Sequence, residues 1–503
     1  MSDKKKVGSV TYRQADDGYF ENRGLRRYAG VWSLWALGVG AVISGDFFGW
    51  NFGLTSGGFG GLLYATVIIA VMYIGMCYSL AEMSPALPHT GGAYSFGRTA
   101  MGPWGGFITG LAENMEYVLT PAVIVVGIGG YMGAIFNDLF GVQIADPVWW
   151  LVSYAVFVGL NFWGVELTFK FSVFITFLAL LILLVFWIGA IPLFHWDNLL
   201  TVAPDPGHGA WLPKGMMGIA YALPFAMWFY LAIEQLPLAA EESHDPARDM
   251  PKGLLYGILT LIIASVLTLF LNAGIAPGAA VVGKSSEPLF LAFKTIFGEG
   301  AGAALLALIA VAGLIASFHT IIYAYGRNIY SLSRAGYFPH WMSVTHSKRK
   351  TPHVALVLGA VVGYVVALII QFGDKIFGGV PVGGVLLNMA VFGAVIAYVM
   401  QMISFVILRK KYPDIERPYV SPLGNGGAIV SALIAAITLV FLFFTPDYRP
   451  GIYGCAAWFG AGLVYFYFVG RHKLILSPEE EFAITGGHHG HPETEGYGHT
   501  AIE

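Results

Sequence analysis

Apolar runs of roughly 20 residues recur from one end of the chain to the other, separated by short polar breaks, and each is long enough to cross a hydrocarbon layer of about 30 Å. They lack the alternation of apolar and polar positions that marks a membrane strand, so the predicted elements are helices. The runs fall at 30–55, 58–82, 102–135, 148–166, 172–193, 214–239, 253–275, 300–330, 353–372, 383–408, 426–446 and 450–470. The pattern predicts an all-α membrane protein with 12 transmembrane helices, preceded by a polar segment, 1–24, and followed by a His-rich tail, 471–503, expected to be disordered.

Composition agrees: 56% of the 503 residues are hydrophobic and 11% charged, where soluble domains run near a quarter charged. The position of the charge is more informative than its sum of -3. With the N-terminus inside, the outer loops hold Lys214, Lys284, Lys294, Lys375 and Arg449, five of the 27 cations. Lys and Arg are retained on the cytoplasmic side, so both termini are expected in the cytoplasm and the protein in the plasma (inner) membrane. Cys77 and Cys455 both lie in apolar runs, which suggests neither a disulfide framework nor a metal cluster. His488, His489 and His491 could hold a metal, but a weakly functional tail is the expected reading. No phosphate-binding loop, Ser-His-Asp set or ligand spacing occurs in the spans, so neither an enzyme nor a cofactor is expected.

Four carboxylates interrupt this pattern. Asp46 sits in "AVISGDFFGWNFG" (41–53), Glu113 and Glu116 in the third run, and Glu234 in the sixth. A carboxylate at a helix centre costs about 2.5–3.5 kcal/mol on insertion scales, so it has a partner, faces water or performs a function. Glu113 and Glu116, three apart, share a helix face. Aromatic residues accompany the acids: Phe47, Phe48 and Trp50 after Asp46, Tyr117 after Glu116, and Trp228, Phe229 and Tyr230 before Glu234. Such rings favour a cation by about 0.5–2 kcal/mol each. The rival roles are structural: Asp46 as a helix cap, Glu116 as a helix–helix hydrogen bond, single rings as packing, and His319 as a satisfied interhelical contact instead of a proton relay.

The inner loops carry a stronger pattern. "SLAEMSPALPHTGGAYSFGRTAMGPWGGFITG" (79–110), "LAAEESHDPARDMPKG" (238–253) and "RNIYSLSRAGYFPHWMSVTHSKRKTP" (327–352), together with the Gly-rich first run, resemble the amino acid–polyamine–organocation (APC) permeases over residues 25–470. "SGDFFGWNFG" followed by "TGLAENMEYVLTP" is most similar to the ethanolamine permease branch. The resemblance implies a LeuT-like core of two inverted five-helix repeats, 25–410, with two further helices in 411–470. Substrate would sit between breaks in spans 1 and 6. Gly45 suits the first break, whereas the sixth run has prolines at 224 and 237 but Ala232 where relatives carry glycine.

The same resemblance places Ser44, Gly45 and Asp46 where amino acid permeases read Gly-Ser-Gly and hold a substrate carboxylate on freed amides. An acid there repels a carboxylate and attracts an ammonium, so the expected substrate is an amine lacking a carboxylate, ethanolamine first and choline second. Glu116 and Tyr117 match cavity-lining positions, Trp228 an aromatic that closes over the substrate, and Glu234 an acid serving binding or coupling; Phe47 and Tyr230 complete the expected site. Glu113, Ser317, His319 and Thr320 are candidates for coupling or the transport path, with H+ and Na+ both open as the ion. The alternatives are an amino acid permease in which Asp46 takes the α-ammonium and, from another class, a membrane sensor that binds amine without moving it.

Overall fold

The computed structural model describes residues 4–475 apart from 14, 16, 17, 286, 299, 300, 377–381 and 445–448; the tail from 476 on, with His488, His489 and His491, lies outside the described residues. Helices dominate: α1 (Val31–Val42), α2 (Ser44–Phe47), α3 (Phe52–Ala86), α4 (Ala93–Phe140), α5 (Asp146–Trp163), α6 (Val165–Ala190), α7 (Trp196–Leu199) and α8 (Gly215–Ala226). After a run of 3-10 turns follow α9 (Pro246–Gly274), α10 (Ala279–Val282), α11 (Pro288–Phe297), α12 (Ala301–Arg334), α13 (His353–Ile376), α14 (Val382–Lys411), α15 (Gly424–Phe444) and α16 (Arg449–Phe468). Among the described residues, nine helical segments are long and apolar enough to cross a membrane. The expected runs 30–55, 148–166 and 300–330 also fall on helices: α1 and α2 with the start of α3, α5, and α12, of which α1, α2, α5 and α12 are outside those nine.

Glycine sets two of the boundaries that the hydrophobic pattern placed between runs. Gly58 (φ 69°, ψ 178°) interrupts α3 and Gly102 (φ 79°, ψ -173°) interrupts α4, in backbone conformations that L-residues rarely adopt. α4 packs against α12 and α14 in the interior, α1 against α6, α9 and α12, and α3 against α8 and α9. α15 lies on α3 and α14, and α16 on α14 and α4. Large apolar side chains face outward, among them Phe174 and Ile188 on α6, Leu433 on α15 and Phe468 on α16, as a hydrocarbon solvent permits.

The two ends of the described chain meet. β1 (Lys4–Val7), β2 (Val10–Arg13) and β3 (Leu474–Ile475) form one sheet in that order, with β2 antiparallel to β1 and parallel to β3. Val10 and Tyr12 are buried with Phe107, Tyr337, Phe466 and Leu474. The N-terminal segment is thus more than the polar lead-in its composition suggests, because alternate residues of "VTYR" bury against the helix ends. On the same face, Tyr19 donates from its hydroxyl to the Arg334 carbonyl (2.8 Å) and Thr345 donates through its backbone N–H to Asn22 O (3.2 Å). We call this the terminal face.

Candidate functional site

Two helices lose their regular geometry at one point and touch there. α1 ends at Val42, α2 is a single turn, and the chain then passes through extended Phe48 (φ -164°, ψ 153°) before α3. Across from it, α8 gives way to a 3-10 turn at Met227–Phe229, then Ala232 in the left-handed conformation (φ 83°, ψ 5°), then a 3-10 segment Ile233–Glu242. The break in the sixth run is therefore present without the expected glycine; Ala232 adopts the glycine-like conformation itself, at about 1–2 kcal/mol. A Cβ on Gly45 would lie 1.8 Å from the Trp228 carbonyl oxygen, and one on Gly49 3.0 Å from the Trp228 ring. Only glycine at 45 lets the two irregular backbones meet.

The amides freed by the first break find partners. Ser317 of α12 accepts from Ser44 N (3.0 Å) while donating to Gly40 O (2.9 Å), so one hydroxyl ties both sides of the gap to α12. Asn51 Oδ1 accepts from Gly49 N (3.2 Å), and its amide donates to the carbonyls of Val282 and Ser285 at 2.8 Å. Asp46 takes no part. It is 0% exposed, caps neither α2 nor α3, and neither carboxylate oxygen has a hydrogen-bond partner among the described residues. Thr268 of α9 and Tyr230 are the polar groups that face it. Tyr230 is held by a 2.8 Å hydrogen bond with Ser265 Oγ.

The other three acids form a second group. Tyr117 places its hydroxyl 3.5 Å from both Glu113 Oε1 and Glu234 Oε1, linking α4 to the segment after the second break. Asn328 of α12 donates to Glu113 Oε2 (3.4 Å) and accepts from Asn114 (3.1 Å). Glu116 and Glu234 approach one another, with Tyr398 of α14 beside both. Tyr73 of α3 donates to the Tyr398 hydroxyl (3.0 Å), and its ring lies 5.4 Å from that of Tyr230. All three glutamates are 1% exposed, and Glu116 Oε1, Glu116 Oε2 and Glu234 Oε2 lack a partner among the described residues.

No interaction joins Asp46 to Glu116 or Glu234 among the described residues. The structure thus divides in two what the sequence pattern suggested as one site. Trp228 and Tyr230 stand on the Asp46 side, whereas Tyr117 belongs with the glutamates. Phe47 packs on α12 beside Gly313, where a Cβ would meet its ring at 2.5 Å. Thr320 returns its hydroxyl to its own helix at Ala316 O (2.8 Å). His319 lies apart from the acids: its Nδ1 is 3.2 Å from the Asn161 amide and its Nε2 3.2 Å from Thr168 O, between the rings of Phe157 and Phe171. That satisfied interhelical contact is the structural role weighed against a proton relay.

Sequence reasoning misses Tyr73, Tyr398, Thr268, Ser265 and Asn328. In a chain with 15% aromatic residues a single tyrosine carries no signal. Asn328 had one cue, its place in the loop pattern that begins at Arg327.

The three recognisable loops close the terminal face below the glutamates. Arg327 pairs with Glu242 (2.8 Å), both side chains 0% exposed, and the Tyr323 hydroxyl also donates to Glu242. Arg334 pairs with Glu241 (2.5 Å) and reaches His89 (3.2 Å), while Thr90 N donates to Glu241 (2.9 Å). Nearby, Glu82 holds Arg409 (2.5 Å) and Arg417 (3.2 Å).

Residues 34–476 match the family model described as amino acid permease. The chain is 29% identical over 459 residues to an uncharacterized transporter of Rhizobium meliloti, covering 90% of this chain and 93% of that one. It is 25% identical to the branched-chain amino acid permease BcaP of Bacillus subtilis, covering 90% and 95%. With the D-serine/D-alanine/glycine transporter of Escherichia coli it shares 24% identity over 91% and 97% of the two chains.

Proposed function

Because the chain belongs to the amino acid permease family, and so is a membrane transporter of small organic molecules, we propose that it imports a small cationic amine, ethanolamine first, across the cytoplasmic membrane by alternating access. The observation that carries this reading is Asp46: a buried carboxylate without a partner, at the point where two irregular helices touch. Dry surroundings strengthen its attraction for an ammonium and its repulsion of a carboxylate. Trp228 stands over the break and Tyr230 faces the acid, so aromatic surface is at hand for the cation. In this reading the broken segments belong to spans 1 and 6 of twelve. Spans 1–10 form two inverted repeats over 25–410, the last two helices are accessory, and the terminal face is cytoplasmic.

A second reading keeps the fold and changes the cargo. The relatives named for branched-chain amino acids and for D-serine, D-alanine and glycine support an amino acid substrate, with Asp46 taking the α-ammonium.

In reconstituted vesicles, labelled ethanolamine uptake is expected to saturate, to resist competition by alanine, and to be lost in Asp46→Asn while the variant remains folded. Uptake by the neutral variant at the parent rate removes the basis for amine recognition. Thermal stabilisation by alanine but by no carboxylate-free amine selects the amino acid reading.

A further inference from the structure

We propose that residues 4–23 form a strap that holds the terminal face shut, and that the strap stays seated on α4, α12 and the end of α16 while α1 swings about Gly24–Arg27 when that face opens. The opening itself belongs to the transport reading above, on which the proposal rests.

Hydrogen bonds seat the strap along its length. Trp104 Nε1 on α4 donates to Ser9 Oγ (3.0 Å), and Arg13 Nε donates to the His472 carbonyl beyond α16 (3.1 Å), beside the pairing of Tyr12 with Leu474. Arg23 lies over the Tyr19 ring (3.7 Å) and donates from Nε to Ser343 Oγ (2.8 Å) and from Nη2 to His340 O (3.1 Å). The Asn22 carbonyl accepts twice from Thr345, through N (3.2 Å) and Oγ1 (3.0 Å), and Lys350 Nζ donates to Glu21 O (3.1 Å). These partners lie on α4, on the chain that follows α12, or after α16.

Just beyond the strap the chain joins a different body. Tyr28 N and Ala29 N both donate to Glu242 O (2.7 and 2.8 Å), His244 N donates to Ala29 O (2.9 Å), and Ala29 bridges Ser243. The start of α1 is thereby fastened to the end of the segment after the second break, so at this face the two irregular spans move as one. Between the bodies, Gly24 is extended (φ -79°, ψ 145°) with nothing within 4 Å of an added Cβ, and Arg26 and Arg27 are exposed. The chain from Arg23 to Tyr28 reaches about 17 Å at full extension, so α1 can leave α12 without unseating the strap.

The strap also reaches the contact that closes the face. Tyr330 on α12 donates its hydroxyl to Arg23 O and accepts from Arg334 Nη1 (3.1 Å), while the Tyr19 hydroxyl donates to Arg334 O (2.8 Å). The same guanidinium donates to both oxygens of Glu241, at 3.0 Å to Oε2 and 2.5 Å to Oε1. A continuous path thus runs from the strap at Arg23 through Tyr330 and Arg334 to Glu241, which lies on the body that carries the start of α1. A Tyr330 hydroxyl turned toward Arg23 presents its lone pairs to Arg334, and each hydrogen bond in such a chain polarises the next. A seated strap therefore strengthens the hold of α12 on Glu241. Ser331 is 0% exposed and shares a helix face with Arg327 and Arg334, so its accessibility reports whether the face is shut.

The test has two arms. The first needs no cargo: in purified full-length protein with Cys77 and Cys455 replaced, Ser331→Cys supplies the single thiol, and the rate at which a water-soluble maleimide labels it is measured well below the melting temperature. The Ser331 hydroxyl donates to Asn328 O of its own helix (3.0 Å), so this substitution leaves the closing contacts in place. Adding Tyr330→Phe is expected to raise the rate about two- to tenfold, the worth of one hydrogen bond, and deletion of residues 2–23 to raise it at least as much. The deletion also removes cover, so Tyr330→Phe, with the strap still seated, decides: a rate equal to the parent's overturns the proposal. Cys455, retained alone on α16 against Met115 (4.0 Å), should label at the same rate in all three proteins; a parallel rise there marks general loosening and also overturns it. The second arm joins the strap to β3 by a disulfide between Tyr12→Cys and Leu474→Cys and follows uptake of labelled ethanolamine and labelled alanine in vesicles. Whichever is carried, the oxidised and reduced forms should differ by less than about twofold, because the strap does not leave its seat. Uptake that returns only on reduction shows that the strap has to detach, and the proposed hinge is wrong. If neither probe is carried by the parent, the transport reading falls and the labelling arm decides whether the strap holds the face shut.

Discussion

At the scale of single residues, this protein places polar groups where the surrounding physics penalises them. Asp46 has no partner to offset its burial, and Ala232 adopts a conformation suited to glycine. Relatives of this fold were expected to carry glycine at the second position, and Ala232→Gly would remove strain of about 1–2 kcal/mol, less the additional chain entropy of glycine. The variant is expected to be more stable by about 1 kcal/mol or less, read as a raised apparent melting temperature in detergent by a thiol-independent thermal-shift assay. An unchanged or lower value would mean that the alanine methyl makes contacts worth the strain. The acids were visible in the sequence because charge in an apolar run is rare. Their partners were not, because hydroxyls and amides such as Thr268, Tyr398 and Asn328 are unremarkable until folding sets them beside a carboxylate.

At the scale of elements, the interruption between α1 and α3 is stabilised from outside. Ser317 on α12 accepts from Ser44 N and donates to Gly40 O, so Ser317→Ala leaves a buried donor and a buried acceptor unmet. An unmet buried group costs about 1–3 kcal/mol, and the variant should lose that much stability with uptake reduced in parallel. Gly45→Ala should be harsher. Its methyl would collide with the Trp228 carbonyl, where backbone has to move, so the two breaks should part and saturable uptake should vanish even in protein that reaches the membrane. Normal uptake by Gly45→Ala would show that the close approach is dispensable. Gly45 could be read from sequence as a helix interruption; that its absent side chain makes room for a carbonyl from a segment nearly two hundred residues away could not. The sixth-run break was legible only from its prolines, and His319 shows the converse, a residue whose chemistry suggests a relay and whose packing supplies a structural contact.

At the scale of the whole molecule, loops distant in sequence are joined across one face by buried ion pairs. The Arg327–Glu242 pair is fully enclosed, and removing one partner of such a pair costs about 3–5 kcal/mol because the other charge is left uncompensated. Glu242→Gln is therefore expected to destabilise the protein by that amount. Arg327→Met combined with Glu242→Gln, which removes both charges, should recover much of it in the same melting experiment. Additivity of the two changes would mean that the pair does not act as a unit. The sheet that unites residues 4–13 with 474–475 fixes both described ends on this face. A cysteine introduced at Ser9, in a background lacking Cys77 and Cys455, should react with a membrane-impermeant thiol reagent in inside-out vesicles and not in intact cells. The opposite labelling would invert the orientation derived from the distribution of lysine and arginine.

Some of this was determined by the sequence alone. Solvent preference acts on each segment independently, so the helical membrane-embedded character, the boundaries at Gly58 and Gly102, the misplaced acids and the family pattern of the loops are written in local composition and order. Only the tertiary structure decided which acids are neighbours. Separation along the chain says nothing of separation in space, and the helix breaks turn Asp46 toward Thr268 and Tyr230 while α4 and the segment after Ala232 bring Glu113, Glu116 and Glu234 together. The separation of Asp46 from the three glutamates arises from packing, and it matters because the electrostatic cost of a charge depends on what surrounds it.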